Sequence, residues 1–420
     1  MQLPAAELTD HSDDVVGAAG TPEAETSIPM HRGGSLRSQD EAMNSLAHRT
    51  AAITIAALVL LGAAACGSGG ADTGGSATAG SSSGADSSAS LTEAKAEVNV
   101  LLSNLPLKAE PLSSAPPKGL KVASVTCTLT SCKPGEFAKA AAKFGWKASE
   151  QTYDLSKGPS DFVAAVRRAL QTRPDALAIL FAHPPELIKA EIQQAQNQGV
   201  TLIDIASAVD APPQGFAACI ACNAALYADG KAEADFVAVD AGAQTSVGVV
   251  GDKTIDANVS ATKGFVEKFE SNSPNSTVHV INVSFAKSPQ ANAQTVVSAL
   301  QRNPDIKYLV VQSPDFLSGM SQALSAAGLS QKVKVVALDP AGEEQLALVK
   351  GGGVYAWVGA DGPVIWWRAV DAIARHEVGQ DFDPTPIPAL RVITQGNMGP
   401  GMFAPRDYET AYDRAWQAGS

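Results

Sequence analysis

Seven residues recur almost unchanged 130 positions apart: Ala169-Leu170-Gln171-Thr172-Arg173-Pro174-Asp175 returns as Ala299-Leu300-Gln301-Arg302-Asn303-Pro304-Asp305. Each copy closes a helical run, leads into an apolar strand (residues 176–181 and 306–311) and reaches a proline-containing loop, His183-Pro184-Pro185 or Ser313-Pro314-Asp315. The match extends outward, pairing residues 122–126 with 247–251, Phe144 with Phe269, and 201–205 with 334–338. One α/β unit has been used twice in one chain. Two similar lobes facing each other enclose a cleft, and clefts between lobes bind small molecules.

Around this repeat the elements alternate. A Val-rich strand at 121–126 and apolar strands at 176–181 and 200–205 are separated by helices with apolar residues at helical spacing, such as Phe137, Ala140, Ala141 and Phe144 before the stop at Gly145. The alternation returns from 246 to 358, and a last strand over 388–394 and a short helix over 405–415 complete it. Strands separated by helices imply parallel sheets, with right-handed crossovers placing helices on both faces. The expected fold is α/β, two doubly wound parallel-sheet lobes.

The first 116 residues lie outside these lobes. Residues 1–42 are polar and aperiodic. His48 and Arg49 precede the apolar run 51–65, which is shorter than the ~20 residues that span a membrane and suits an export signal. Met43 would be a more natural start for that signal. The run ends Leu60-Leu61-Gly62-Ala63-Ala64-Ala65-Cys66, which resembles a bacterial lipobox, with Ala63 where Leu is commoner. Residues 1–65 are therefore expected to be leader and signal, and Cys66 a lipidated N-terminus. Residues 67–90 are almost entirely Gly, Ser, Ala, Thr and Asp, a flexible composition. The whole stretch 66–116 is expected to be a tether, with a short amphipathic helix at 91–103 and a proline-rich spacer from 106.

Four further cysteines, Cys127, Cys132, Cys219 and Cys222, suit disulfides in an exported domain. Three pairings are available. The local one is expected, and cross-pairing stays open. Net charge is −12 with no basic cluster, so no nucleic-acid partner is expected. No Ser-His-Asp set, phosphate loop or metal-spaced His group appears, so no enzyme, cofactor or metal is expected. Cys219-Ile220-Ala221-Cys222 fits the C-x-x-C of thiol–disulfide oxidoreductases, but it follows Pro212-Pro213 at a crossover rather than opening the first helix of a fold of its own.

The order of elements over residues 121–416 resembles a type I periplasmic binding protein of the ribose and galactose branch, the solute receptors of ABC importers. Carrying the resemblance are Phe144-Gly145-Trp146, the Pro-Asp junctions at Pro174 and Pro304, and Gln196-Asn197-Gln198-Gly199-Val200 followed by Leu202-Ile203. Val335-Val336-Ala337-Leu338-Asp339 is similar to the family's V-V-G-F-D. The resemblance implies three crossings between lobes, near residues 219–223, 358–361 and 392–395. Lobe one would then comprise 117–220 and 361–391, and lobe two 223–358 and 394–420. It also implies a monomer that hands a small, carbohydrate-like ligand to an importer permease, or that reports ligand binding to a membrane signalling partner.

Ligands of open parallel sheets bind beyond the carboxyl ends of the strands. The loops there contain Thr128, Thr130, His183, Ser207, Asn258, Phe285, Gln312, Ser313, Asp315, Asp339, Trp357 and Asp361. By resemblance, Asp339 stands at the family's sugar-binding Asp, Gln312, Ser313 and Asp315 where it carries Asn, and Asp361 beside its hinge Gln or Asn. Asp339 and Asp361 also suit helix capping. Phe285, Phe316 and Trp357 are candidate platforms for a sugar ring, whereas Trp366 and Trp367 read as packing. The family's two Arg residues are replaced by Ala206-Ser207 and Asn258-Val259, and its first-loop aromatic pair by Leu129-Thr130. A bidentate Arg clamp on hydroxyls is absent, which sets this site apart from those for common pentoses and hexoses.

Overall fold

The computed structural model describes residues 83–103, 107, 109–242, 244–340, 343–360, 362–383, 390–398 and 407–417. The expectations for Cys66 and the signal, and for Asp361, fall outside these residues. All described residues belong to one unit, 77–420. Among them no helix is long and apolar enough to cross a membrane.

The first lobe is built on a five-stranded sheet. Its strands are β1 (Lys121–Cys127), β2 (Lys147–Tyr153), β3 (Ala176–Leu180), β4 (Thr201–Ile205) and β5 (Phe216–Ile220), in the order β2-β1-β3-β4-β5 and all parallel. Its helices are α2 (Glu136–Ala141), α3 (Pro159–Gln171) and α4 (Lys189–Asn197). The second lobe follows helix α5 (Asn223–Ala241). Its strands are β6 (Ser246–Gly251), β7 (Thr277–Asn282), β8 (Ile306–Val311), β9 (Lys334–Leu338), β10 (Ala356–Gly359) and β11 (Arg391–Thr394), in the order β7-β6-β8-β9-β10-β11. Only β11 is antiparallel. The repeated heptapeptides lead into β3 and β8, each beside the first strand of its sheet, so the sequence repeat is a repeat of topology. In the first copy Asp175 Oδ2 accepts the Lys121 N–H at 2.8 Å, tying the helix–strand junction to the start of β1.

Alternation along buried strands divides each lobe into two cores. In the first sheet Ala123, Val125, Leu177 and Ile179 pack on Phe162, Ala165 and Val166 of α3. Val122, Ala178, Ile203 and Ile205 pack on α2 and on α10 (Val364–Glu377), which returns to this lobe after β10. In the second sheet Val249, Val310, Val336 and Val358 face α5 and α6 (Asp256–Asn272). Val250, Leu309, Val311 and Trp357 face α7 (Pro289–Arg302), α8 (Met320–Ala326) and α9 (Glu343–Lys350). Helices α5 and α6 approach closely because Gly230 and Gly264 have no side chain. A Cβ on either would fall 1.9 Å from the Ala261 carbonyl oxygen or 2.2 Å from that of Tyr227.

Both ends of the domain depart from the sequence expectation. The final helix α11 (Asp407–Gln417) was expected in lobe two and packs on lobe one. Trp416 stacks on Trp367 with ring centroids 5.5 Å apart, lies 4.7 Å from Phe144, and donates from Nε1 to Asp371 at 2.8 Å. These aromatic contacts, with those of Tyr408 and Tyr412, outweigh the continuity of the chain with β11. The proline-rich spacer is also bound rather than free. Leu112 is buried and its N–H donates to Ala415, while Trp146 Nε1 donates to the Pro117 carbonyl. The helix expected at 91–103 is α1 (Ser83–Leu101). It lies on the second lobe, where Leu91, Val98 and Leu101 join the core of α5.

Candidate functional site

A cavity of about 200 Å³ lies between the lobes at the carboxyl ends of both sheets. Leu129, Ser131, Leu155, Leu180, Phe181 and Ala182 form its first-lobe wall, with Ile365 and Arg368 of α10. Ile255, Asn258, Phe285, Gln312, Ser313 and Asp339 form the second-lobe wall, with Ala225, Leu226 and Asp229 from the opening turns of α5.

Three lining residues without the freedom of glycine hold left-handed backbone: Ala206 (φ 62°) after β4, Ala221 (φ 52°) after β5 and Asp339 (φ 49°) after β9. Such conformations concentrate at functional sites, where the surrounding fold imposes them. At Asp339 the imposing contacts are visible. Its N–H donates to the Val358 carbonyl at 2.9 Å and its Oδ1 accepts the Ala360 N–H at 3.2 Å. Gly359 (φ 127°) permits this, because a Cβ there would sit 2.2 Å from Asp339 Oδ1. The Asp339 side chain is thus fixed against the second crossing and lines the cavity. It lies four residues before α9 rather than at the start of that helix.

The two disulfides are the local ones, Cys127–Cys132 and Cys219–Cys222. The first closes the loop that brings Leu129 and Ser131 to the cavity. Cys132 also accepts hydrogen bonds at its carbonyl from Trp366 Nε1 (2.9 Å) and the Thr126 hydroxyl (3.0 Å). The second spans the first crossing, from the end of β5 to the residue before α5.

The structure brings Asn258, Phe285, Gln312, Ser313 and Asp339 together in the wall. Asn258 is braced on both sides, accepting the Asp252 N–H at 3.1 Å and donating to the Gln312 carbonyl at 3.2 Å. Phe285 stacks on buried Phe316 at 4.3 Å and is the one aromatic platform of the three that lines the cavity. Trp357 is fully buried on the α7–α9 face of its sheet and donates from Nε1 to the Gln345 carbonyl at 3.0 Å. The other expected residues stand off the wall. Thr128 and Thr130 are exposed, Leu129 and Ser131 taking the inward positions. Ser207 turns to Asp204, to which its hydroxyl donates. Asp315 accepts the Ser313 hydroxyl at 3.2 Å. His183 packs on Tyr153 and Phe162, and its imidazole is held below its usual pKa by burial, against the opposing charge of Asp256.

Sequence reasoning missed Asp229 and, behind it, Glu233. Their four-residue spacing on an alanine-rich helix just after a crossing is the signal that points to them. Burial pushes Asp229 well above the usual carboxylate range, and the nearby charge of Asp339 adds to the rise. Glu233 is raised by burial too, against the Gln312 amide that donates to its Oε2 at 2.8 Å. Asp229 Oδ1, Glu233 Oε1 and Gln312 Oε1 are buried without hydrogen-bond partners. Among the described residues no three His, Cys, Asp or Glu side chains group as metal ligands.

Residues 135–381 match the family model described as a periplasmic binding protein domain. No curated protein matches the chain in sequence. Similar solved structures include a carbohydrate transporter solute binding protein from Agrobacterium radiobacter in complex with D-arabinose (16% identity, TM-score 0.58, covering 68% of this chain and 98% of that one). An Agrobacterium vitis ABC transporter solute binding protein bound to α-D-tagatopyranose is similar at 19% identity (TM-score 0.58, 68% and 98%). So is a 5-methylthioribose transporter solute binding protein from Thermotoga lettingae (18%, TM-score 0.57, 67% and 88%).

Proposed function

The chain belongs to the periplasmic binding protein family, and from that premise we propose that it is a non-enzymatic, extracytoplasmic receptor that delivers a small sugar-like solute to an ABC importer. One observation carries the reading: the cavity is walled by strand-end residues of both lobes, so a ligand there touches both at once. Contacts to both walls favour the closed arrangement by their differential affinity, and the crossings between the lobes act as the hinge. The protein works as a monomer, tethered to the outer face of the cell membrane by diacylglycerol on Cys66 after cleavage of the 51–65 signal. The Gly/Ser-rich stretch that follows gives the receptor reach.

A thermal-shift screen with sugars, polyols and nucleosides tests the receptor. A saturable rise in Tm with no turnover product supports it, and a chemically altered ligand overturns it. Fatty-acid labelling tests the anchor, since Cys66→Ala should abolish the label.

A further inference from the structure

We propose that the solute is an uncharged, one-sided molecule: a sugar or cyclitol bearing a deoxygenated or alkylated carbon. Its hydroxyls meet Asp229 and Gln312 of the second lobe, and its hydrocarbon side lies against Leu129, Leu155 and Ile365 of the first. The inference rests on the receptor reading and names the chemical class of its ligand.

The two walls of the cavity differ in kind. On the first lobe, Leu129, Leu155 and Ile365 are half-buried and line the cavity beside Leu180 and Phe181. The backbone of this wall is paired within the lobe. The Leu129 carbonyl accepts the Cys132 N–H (3.1 Å), that of Leu155 the Gly158 N–H (3.1 Å), that of Leu180 the Tyr153 hydroxyl (3.0 Å) and that of Ile220 the Ala206 N–H (2.8 Å). Among the described residues, Ser131 and Arg368 are the polar side chains here, apart from disulfide-bonded Cys132. The Arg368 guanidinium is engaged by the Asp383 carbonyl (3.3 Å), the Phe382 ring (5.2 Å) and Tyr412. A hydroxyl turned towards the leucines would exchange water for hydrocarbon, which is unfavourable, whereas a methyl or methylene gains from the same burial.

The second lobe holds the polar contacts. Asp229 Oδ1 and Gln312 Oε1 are buried in its wall without hydrogen-bond partners. Gln312 is held in that orientation, since its Nε2 donates to Glu233 at 2.8 Å. Burial raises Asp229, and the charge of Asp339 adds to the rise, so its carboxyl keeps a proton well above the usual carboxylate range. A protonated carboxyl donates and accepts, and the Gln312 oxygen accepts. Hydroxyls also do both, so they pair with this wall and bring no charge into the cleft.

Calorimetry at pH 6 tests the proposal on substituted ligands and their parents: methyl, ethyl and butyl β-D-glucopyranosides with glucose, L-rhamnose with L-mannose, and D-pinitol with D-chiro-inositol. At least one substituted member should bind more tightly than its parent, by about fourfold for each methylene buried. Leu155→Asn and Ile365→Thr, which lie on different elements, should each cut that gain by about fourfold or more. Asp229→Asn, whose amide also donates and accepts, should hold affinity within about threefold, while Asp229→Ala should lose about tenfold or more. Parents that bind as tightly as their substituted partners overturn the apolar side and leave the receptor standing. A loss in Asp229→Asn equal to that in Asp229→Ala overturns the uncharged contact. Failure of every substituted member to bind also overturns the proposal, whereas failure of the broader screen strikes the receptor reading.

Discussion

The side-chain amide of Gln312, at the end of β8, donates to Glu233 of α5 at 2.8 Å, in a space where neither group meets solvent. This bond ties the strand that the second heptapeptide leads into to the helix that follows the first crossing. It also orients Gln312 so that its oxygen stays unpartnered beside the cavity. Gln312→Leu strands Glu233 without its donor and should destabilise the protein by roughly 1–3 kcal/mol. Chemical denaturation measures this. An unchanged midpoint would show that Glu233 does not depend on Gln312.

Stability should fall as pH rises from acid to neutral. Burial pushes Asp204 up to about 7 against the opposing hydrogen bonds of Ser207, and Asp229 and Glu233 are raised as well. A carboxyl whose folded pKa lies above its unfolded value keeps its proton in the native state while the unfolded chain releases it. Its stabilising contribution is therefore full below about pH 4 and is lost as pH rises towards about 7. The ligand-free protein should melt higher at pH 5 than at pH 8, and Asp204→Asn should flatten the slope. A Tm that rises across this window contradicts the assignment.

Trp416 should hold the first lobe together despite its place at the end of the chain. Its stack on Trp367 and its bond to Asp371 bury it in the lobe-one core. Trp416→Ala should lower stability by about 3–5 kcal/mol, the range for a large aromatic removed from a core. A change within about 0.5 kcal/mol would place α11 outside the cooperative unit.

Much of this architecture was legible in the sequence. The repeat gave two equivalent sheets because the Pro-Asp junction and the apolar strand after it are local signals, and strands separated by helices leave few topologies. The rule for strand ends then located Asn258, Gln312, Ser313 and Asp339. The phase of the loop after β1 was not legible, since the Cys127–Cys132 bridge decides that Leu129 and Ser131 turn inward rather than Thr128 and Thr130. Trp357 looked like a platform, yet alternation along β10 points it into the opposite core while Val358 faces α5. Asp229 was hidden by its setting in a helix, which a strand-end rule does not inspect. The placement of α11 depends on contacts made across some 270 residues, aromatic as in Phe144 with Trp416 and ionic as in Lys143 with Asp413, and no local pattern encodes them.

The two disulfides should be present in the exported protein. Peptide mapping without reductant should yield Cys127–Cys132 and Cys219–Cys222 as linked pairs, and four alkylated thiols in unreduced protein would contradict them. Loss of the Cys127–Cys132 loop should cost roughly 2 kcal/mol and weaken ligand binding through Leu129 and Ser131.

A solute held between the lobes should draw them together. Small-angle X-ray scattering with and without saturating ligand measures this directly. The radius of gyration should fall on ligand addition, recover on dialysis, and stay unchanged in Asp339→Ala. Tight binding with no compaction, or compaction that survives Asp339→Ala at unchanged affinity, would contradict it.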